Sequence, residues 1–356
     1  MADISIIIPL DGSSVQFNAL CESLSGTEDE MAQIVVVRPG DAGITDEELE
    51  GLPVEPLVIE HDGTLGDMWN AAVPACTSEY VYPASCRIRF SNAFYRILCA
   101  QVTRAPVDLL CFHLQEFDLA TQTYTSRRLS QRLCLPAIPF NPSDHAYRIF
   151  QRLGTNPCSA VFSKRFITEK GFEFSSVASF DDDPAFVKLI PEAEAISFLP
   201  WPLAVLAYDS NTLFDDIVDD EFLARYAVFQ RLFGDGIPPV GMLDSHVEWC
   251  VAFASRHYDD APDELAERML DAMASTVLPV VGTHLEDRRD VLCIEGAETL
   301  LLSKLTRSEL IDSIAVLRAA GGEERYRSEM LQIMLDRAKA GSTGTTRPRK
   351  RGLFRR

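Results

Sequence analysis

The sequence predicts an α/β protein with a Rossmann-like, mostly parallel sheet flanked by helices, followed by a C-terminal helical domain. The first observation is a β-branched run at Ile4–Pro9 that a proline stops, as is typical of a parallel strand buried on both faces. The second is the alternation of such runs with helical patterns over short connections. The third is a change after residue 210 to a series of amphipathic helical patterns.

Three strands are predicted within the first sixty residues. They lie at 4–9, 34–37 and 54–59, and each is a short apolar run that a turn or a proline ends. Between the first two, Phe17, Leu20 and Leu24 recur at helical spacing. This order predicts strand, helix, strand, strand, with the loop 38–41 at the carboxyl end of the second strand.

The stretch from 58 to 90 organises the rest of the predicted domain. It contains the end of the third strand, a glycine-bearing turn at 62–66, a helix at 67–75 and an apolar strand at 79–82. A polar elbow, which we define as residues 83–87, follows that strand. In open α/β sheets ligands bind outside the carboxyl ends of the strands. We therefore expect a binding site at the elbow.

Further elements are predicted along the chain. We expect a helix at 90–103, a strand at 107–112, an extended or hairpin segment at 124–135, a strand leading into a helix at 156–165 and a closing strand at 195–208. After residue 210 the helical patterns have acidic starts and end at Gly or Pro. The expected domains are 1–210 for the α/β part, 211–340 for the helical part and 341–356 for a flexible basic tail.

Composition restricts the function classes. The chain has 356 residues and a net charge of −20, which argues against a general nucleic-acid binder because phosphate contacts need clustered Lys and Arg. Its 9 cysteines are scattered, with no C-x-x-C pair, and favour free thiols in a reducing compartment. We expect a cytoplasmic protein.

The tail differs in charge from the body of the chain. Residues 347–356 contain six Lys or Arg and no acid, together with Leu353 and Phe354. Basic residues are attracted to anionic lipid, and the two apolar residues are suited to the interface. We expect peripheral contact with the inner face of a membrane. The alternative is a solubilising end that folds back on the acidic body.

The stretch around the turn and the elbow resembles the family 2 glycosyltransferases, which have the nucleotide-sugar-binding GT-A fold. The residues that match the pattern of that family are Gly63, Asn70, Ala72, Glu79, Tyr80 and Val81. Two positions depart from it. Ser85-Cys86-Arg87 stands in place of the Asp-x-Asp motif, and Arg38-Pro39 stands in place of two aspartates of which the first contacts the nucleotide base, with only Gly40 kept.

The resemblance implies a donor side and a catalytic side. It places on the donor side Pro9, Arg38, Gly40, Gly63, Asn70, Ser85 and Arg87. It also places Asp181–Asp183 where the family has a Glu-Asp pair whose aspartate is the general base of inverting members. Asp182 is the first choice for the base and Asp183 the second, since Pro184 is typical of a first helical turn and makes Asp183 a natural N-cap.

The replacement of the Asp-x-Asp motif affects the expected binding of a metal ion. Most GT-A enzymes hold a divalent cation, Mn²⁺ or Mg²⁺, on the Asp-x-Asp carboxylates, because hard cations prefer such oxygens. Ser85 is a weak neutral ligand and Arg87 repels a cation, so we assign no metal ligands. Arg87, together with Arg89, is expected to contact the diphosphate directly. Two other readings stay open: exposed arginines at a strand end, and a decayed site on a surviving fold.

The expected function is transfer of a sugar from a UDP- or GDP-sugar to a glycan or lipid-linked acceptor, in building a cell-surface polysaccharide or glycoconjugate. The alternative is a catalytically inactive module that binds a partner glycosyltransferase or a glycan. A homo-oligomer is compatible with either function. The sequence has no G-x-G-x-x-G, G-x-x-x-x-G-K-[ST], G-x-S-x-G or H-E-x-x-H, which disfavours the corresponding nucleotide, hydrolase and zinc chemistries.

Overall fold

A computed structural model describes residues 3–25, 33–40, 43–125, 135–145, 149–176 and 183–209. Two compact units are distinguished along the chain, Met1–His246 and Val247–Arg356, and all described residues belong to the first. The predicted helical domain at 211–340, the basic tail at 341–356 and the aspartates 181 and 182 lie outside the described residues. In the described part, no helix has the length and apolar character needed to cross a bilayer.

The described strands form one sheet. They are β1 (Ile4–Pro9), β2 (Gln33–Arg38), β3 (Leu57–Glu60), β4 (Tyr80–Pro83), β5 (Ile88–Phe90), β6 (Leu109–Asp118), β7 (Thr123–Thr125), β8 (Ala160–Ser163) and β9 (Ile196–Tyr208). Their order across the sheet is β3-β2-β1-β4-β8-β6-β9-β5, and β7 pairs with β6.

The first four strands are parallel, as predicted. β1 pairs with both β2 and β4, and β2 pairs with β3. Every residue of β1 is buried, because a central parallel strand is covered by helices on both faces. The carboxyl ends of these four strands therefore lie on the same side of the sheet, where the strands end and the loops begin. We call this side the carboxyl edge, and the side where these strands start the amino edge.

Beyond β4 the sheet is mixed. β8 runs antiparallel to both β4 and β6, β9 runs parallel to β6, and β5 runs antiparallel to β9. Two sequence predictions differ from the structure here. The first is the mostly parallel sheet: only four of the eight described strand pairings are parallel, so the sheet is mixed. Residues 88–90 form strand β5, because they pair with β9, so the predicted helix at 90–103 begins only at Phe94.

Helices cover the sheet. They are α1 (Ser14–Leu24), α2 (Asp46–Leu49), α3 (Leu65–Ala72), α4 (Phe94–Arg104), α5 (Ile149–Leu153), α6 (Lys164–Glu169) and α7 (Pro184–Leu189). A short 3₁₀ turn at Val73–Ala75 extends α3 towards β4. Strands and helices thus alternate through β4. The short helix α2 between β2 and β3 is absent from the sequence prediction, which has two successive strands there.

An aromatic cluster fills the core on one side of β4. Tyr82, Phe90, Phe94 and Phe112 pack with ring centroids 4.2 to 6.0 Å apart. The hydroxyl of Tyr82 is buried and donates to the carbonyl oxygen of Cys158 at 2.8 Å, so no polar group of this ring is left unsatisfied. The cluster fixes the strand that ends at the elbow.

Candidate functional site

Backbone hydrogen bonds connect the loops at the carboxyl edge. The amide of Leu10, just past β1, donates to the carbonyl of Val37 in β2 at 2.8 Å. On the other side of β1, the amide of Ala84 in the elbow donates to the carbonyl of Ile7 at 2.8 Å. The ends of β2, β1 and β4 are therefore held next to one another, as the parallel topology requires.

One carboxylate organises the elbow. Asp11, two residues past β1, accepts from the hydroxyl of Ser85 at 2.8 Å and from the amide of Cys86 at 2.9 Å. The same serine hydroxyl accepts from the amide of Arg87 at 3.1 Å, and the thiol of Cys86 donates to the carbonyl of Pro9 at 3.1 Å. Ser85 is fully buried, so its hydroxyl shapes the elbow.

The environment of Asp11 is electrostatically tuned. Burial raises the pKa of its carboxyl above the ordinary value, because the charged form loses water. The hydrogen bond from Cys86, the positive charge of Arg87 and the hydroxyl of Ser85 oppose that rise. Asp11 is thus a half-buried carboxylate held by donors from the elbow and facing a cation.

The two arginines of this region have different surroundings. Arg87 is half-buried beside Asp11, and its carbonyl accepts from the amide of Ala207 in β9. Arg89 turns back on its own strand, since its guanidinium donates to the carbonyls of Cys86 and Ile88 at 3.0 and 2.7 Å. Burial lowers the pKa of Arg89. Only Arg87 has its charge next to the elbow carboxylate.

The donor atoms at the elbow do not suit a divalent cation. Asp11 supplies its carboxylate, and both of its oxygens already accept hydrogen bonds from Ser85 and Cys86. The charge of Arg87 next to it would repel a metal ion. Within the described residues there is no group of three or more His, Cys, Asp or Glu side chains that could hold one.

The loop after β2 is held by carboxylates from two sides. The guanidinium of Arg38 forms an ion pair with Asp46 of α2 and lies 3.7 Å from the carboxylate of Glu60 in β3. The amide of Gly40 donates to Asp62 at 2.7 Å. Where the family pattern has two aspartates, this chain has an arginine that is compensated by acids from neighbouring elements.

Gly63 has a conformational role in the turn before α3. Its φ of +140° lies in a region that L-residues rarely adopt, and an added Cβ would lie 2.9 Å from the Cβ of Asp67. Asp67 completes a capping box with Thr64, whose hydroxyl accepts from the amide of Asp67. Gly63 therefore allows the tight entry into α3.

The polar residues of α3 contact other protein elements. The indole of Trp69 donates to the carbonyl of Ala84 in the elbow at 2.8 Å. Asn70 donates to the carbonyl of Phe174 and accepts from its amide, both at 2.8 Å. The side-chain amide of Asn70, which the resemblance places on the donor side, is thus engaged by the backbone of Phe174.

Asp183 caps α7, as the sequence predicts. One oxygen of its buried carboxylate accepts from the amide of Ala185 at 2.7 Å, and the other accepts from the amide of Ser175 at 3.1 Å. The amide of Asp183 donates to the carbonyl of Thr155. Asp182, the first choice for the general base, lies outside the described residues, so its role stays a prediction.

The sequence analysis assigns no role to Asp11. The available signal was position: Asp11 follows the first buried strand by two residues, just as Ser85 follows β4 by two residues. What the sequence could not show is that β1 lies between β2 and β4, which makes its end the centre of the carboxyl edge.

A cleft of about 750 Å³ lies at the other edge of the sheet. It is lined by the start of β4, the residues just before β6 and β9, and the junction of β8 with α6. Its acidic and basic residues are Glu79, Asp108, Lys164, Arg165, Glu169 and Glu194. Among the residues that the sequence assigns to a site, those that the structure describes all lie outside this cleft.

Comparison with known proteins identifies the fold. No family model matches the chain, and no curated protein matches it. Among solved structures, S. aureus TarS 1–349 in complex with UDP aligns with a TM-score of 0.59 at 12% identity, over 95% of this chain and 92% of that one. The same protein in complex with UDP-GlcNAc aligns with a TM-score of 0.56 at 12% identity, over the same shares.

These alignments concern the fold. Together with the parallel strands β3-β2-β1-β4 and the mixed strands beyond them, they confirm the prediction of a GT-A-like α/β fold. At 12% identity a shared fold does not assign the chemistry, so the activity has to be argued from the residues at the carboxyl edge.

Proposed function

We propose that the chain is a nucleotide-sugar-dependent glycosyltransferase of family 2 type that binds the diphosphate of its donor without a divalent metal. The observation that carries the proposal is the Asp11–Ser85–Cys86 network at the carboxyl edge, with the charge of Arg87 beside it. The network fixes the elbow backbone and so sets the place from which the arginine reaches a ligand.

The departure of a nucleoside diphosphate builds negative charge on its phosphate oxygens. A guanidinium stabilises such charge with two parallel hydrogen bonds, and it needs no metal to do so. Arg87 is the proposed group for this task. Asp11 keeps the elbow backbone in place and partly compensates the arginine while no donor is bound.

The acceptor hydroxyl must lose a proton as it attacks the sugar. A carboxylate within hydrogen-bond reach is suited to accept that proton. We assign this role to Asp182, because Asp183 is committed to capping α7 and to the amide of Ser175. The proton moves from the acceptor oxygen to the carboxylate of Asp182, while the glycosidic bond to the diphosphate breaks and the new one to the acceptor forms.

A UDP-sugar is the first donor to test, since TarS 1–349 was crystallised with UDP and with UDP-GlcNAc; GDP-sugars are the second. The proposed acceptor is a glycan or lipid-linked precursor of a cell-surface polysaccharide or glycoconjugate. The proposed location is the cytoplasm, with residues 347–356 against the inner face of an anionic membrane. Liposome co-sedimentation that survives deletion of those ten residues would contradict the membrane part.

A second candidate function is a GT-like module that binds a partner glycosyltransferase or a glycan without catalysis. One observation favours it: several residues on the predicted donor side are engaged by the protein itself. Ser85 is buried against Asp11, Asn70 is bound to Phe174, and Arg38 is paired with Asp46 and Glu60.

Calorimetry and a turnover assay separate the two functions. The transferase predicts binding of UDP or a UDP-sugar in EDTA, with little change when Mn²⁺ is added, and hydrolysis of the donor that Asp182→Asn lowers by about a hundredfold. Absence of binding for all UDP- and GDP-sugars would favour the module. Unchanged hydrolysis in Asp182→Asn would remove that residue from its assigned role.

A further inference from the structure

Helix α3 contacts both the elbow and the segment 172–176, which precedes the aspartates 181–183. The contacts come from adjacent residues of the helix: Trp69 binds the carbonyl of Ala84 in the elbow, and Asn70 binds Phe174. The indole of Trp69 also packs edge-on against the ring of Phe174, with centroids 5.1 Å apart. One turn of helix thus joins the elbow to the segment 172–176.

Gly66 lets the segment approach the helix axis closely. It precedes Asn70 by four residues, so the two lie on the same face of α3. A Cβ at Gly66 would lie 1.8 Å from the carbonyl oxygen of Ser175 and 2.7 Å from its carbonyl carbon. Because both atoms are backbone, no side-chain rotation could make room. The backbone at Ser175 packs directly on the backbone of the helix.

Asn70 then binds the segment as a neighbouring strand would. Its Nδ2 donates to the carbonyl of Phe174 and its Oδ1 accepts from the amide of the same residue, both at 2.8 Å. Both functions of one side-chain amide are needed for this pair. An aspartate could not donate, an alanine could do neither, and a glutamine is longer by one methylene group.

The far side of the segment is held by the cap of α7. The amide of Ser175 donates to one oxygen of Asp183, whose other oxygen accepts from Ala185. The amide of Asp183 in turn donates to the carbonyl of Thr155. Hydrogen bonds therefore connect the elbow to Trp69, Asn70 to Phe174 and Ser175 to Asp183, and the chain itself joins these pairs through neighbouring residues.

We propose that Gly66 and Asn70 form a clamp that sets the distance between the elbow and Asp183, and that Asn70 is a positioning residue. The inference rests on the proposed transferase function, in which the base is Asp182, the residue directly before Asp183 in the chain. In that reaction charge develops on the diphosphate near the elbow, while the residue next to Asp183 takes up the proton. The clamp holds these two places in register, so its loss lowers turnover and leaves donor affinity unchanged.

The test compares Asn70→Ala with Asn141→Ala in the full chain. Asn141 also binds a distant backbone carbonyl, that of Glu194 at 3.3 Å, but it lies at the amino edge. Both variants are expected to unfold at a lower temperature. Only Asn70→Ala is expected to lower kcat for UDP-sugar turnover, by about tenfold to a hundredfold, since misplacing reacting groups by about 1 Å has such effects. Its Kd for UDP stays within about twofold of the native value.

Two kinetic outcomes would overturn the clamp. If Asn70→Ala keeps the kcat of Asn141→Ala, then Asn70 contributes stability alone. If instead its Kd for UDP rises about tenfold at constant kcat, then Asn70 is a donor ligand, as the family resemblance implies.

Amide hydrogen exchange tests the coupling without any activity. The amide of Ser175 is bound to Asp183 and not to Asn70, so faster exchange there in Asn70→Ala would show that the clamp reaches the cap. An increase of about tenfold or more is expected at Ser175 and at Phe174, with none in Asn141→Ala. A change confined to Phe174 would overturn the proposal. If the native chain turns over no nucleotide sugar, the proposed function fails, and the exchange result decides the clamp by itself.

Discussion

The two edges of the sheet differ in what their polar residues do. At the amino edge, the carboxylate of Asp108 accepts from the backbone amides of Glu194 and Ala195, and Lys164 donates to the carbonyl of Cys76. These side chains bind backbone groups and so connect segments next to the ends of strands and helices. At the carboxyl edge, the negative charge of Asp11 lies beside the positive charge of Arg87 in the elbow, and both residues are half-buried.

The cleft and the proposed site thus lie at opposite edges of the sheet. The amino edge has a cleft of about 750 Å³, but four acids and two cations line it, and such a surface repels a diphosphate. The carboxyl edge has an arginine beside loops that converge from parallel strands, which is where ligands bind in open α/β sheets. Topology therefore favours the carboxyl edge.

The largest expected effect comes from adding a methyl group at Gly66, in the clamp at the carboxyl edge. Gly66→Ala places a Cβ 1.8 Å from a backbone oxygen, so the segment must move away from α3. We expect a loss of about 3 kcal/mol or more in the free energy of unfolding, measured by urea denaturation.

Gly43→Ala is the matched control for that substitution. A Cβ at Gly43 meets no atom within 4 Å, so the change should alter stability by less than about 1 kcal/mol, and in the stabilising direction. Equal stability of the two variants would mean that the segment does not pack on Gly66.

A smaller effect is expected from removing one arginine at each edge. Arg87→Ala should weaken binding of UDP by about tenfold to a hundredfold, the range of charged hydrogen bonds to phosphate. Arg165→Ala, in the cleft at the amino edge, should change it by less than about twofold, because Arg165 is exposed and pairs weakly with Glu169 at 3.9 Å. Calorimetry in EDTA measures both; the reverse order would move the donor to the amino edge.

The pH dependence of stability tests the buried carboxylate. The raised pKa of Asp11 means that the folded chain binds this proton more tightly than the unfolded chain. Its contribution to stability is therefore largest below the ordinary pKa and falls as the pH rises through the raised one. The stability of the native chain relative to Asp11→Asn should decrease from about pH 4 upward in urea denaturation series.

Glu48→Gln should change the pH dependence of stability in the opposite direction. The amide of Thr45 and nearby hydroxyls lower the pKa of Glu48, so its contribution is present above the ordinary pKa and is lost as the pH falls. The native chain should gain stability relative to Glu48→Gln as the pH rises. If the slope for Asp11→Asn had this same sign, the carboxyl would not be desolvated in the way the structure indicates.

The smallest effect is expected in thiol labelling: the cysteines at both edges should stay unmodified. Burial raises the pKa of Cys76, near the amino edge, to about 11, and it also raises that of Cys86 in the elbow. At pH 8 roughly one Cys76 in a thousand would be ionised, and both thiols are inaccessible. Site-resolved mass spectrometry after treatment with iodoacetamide should find both unmodified. Rapid modification of Cys86 alone would show that the elbow opens.

The sequence predicts the first half of the fold well because its signals there are local. Ile4–Pro9 is a β-branched run with a proline at its end, and the structure has a strand with the same bounds. The cap at Asp183 is equally local, since Pro184 marks the first turn of α7. Strand β5 was missed because three residues carry no period, and only its pairing with β9 makes it a strand.

The sequence predicts where the candidate site should lie, but it does not predict which residues contact one another there. Its position at the carboxyl ends of the strands follows from topology, which the alternation of elements indicates. The partners do not follow: Asp11 meets Ser85 across 74 positions of the chain, and Asn70 meets Phe174 across 104. Such long-range pairs depend on how the sheet is ordered, and no local pattern records that order.

Hydrogen exchange with and without UDP tests the central claim most directly. The account predicts that saturating UDP, in EDTA, slows the exchange of amides in the loops after β1 and β2 and in the elbow, residues 10–13, 38–40 and 84–87. It predicts no change in the residues that line the cleft at the amino edge, 78–80, 107–108 and 163–169. Protection of that cleft, with the elbow unaffected, would contradict it.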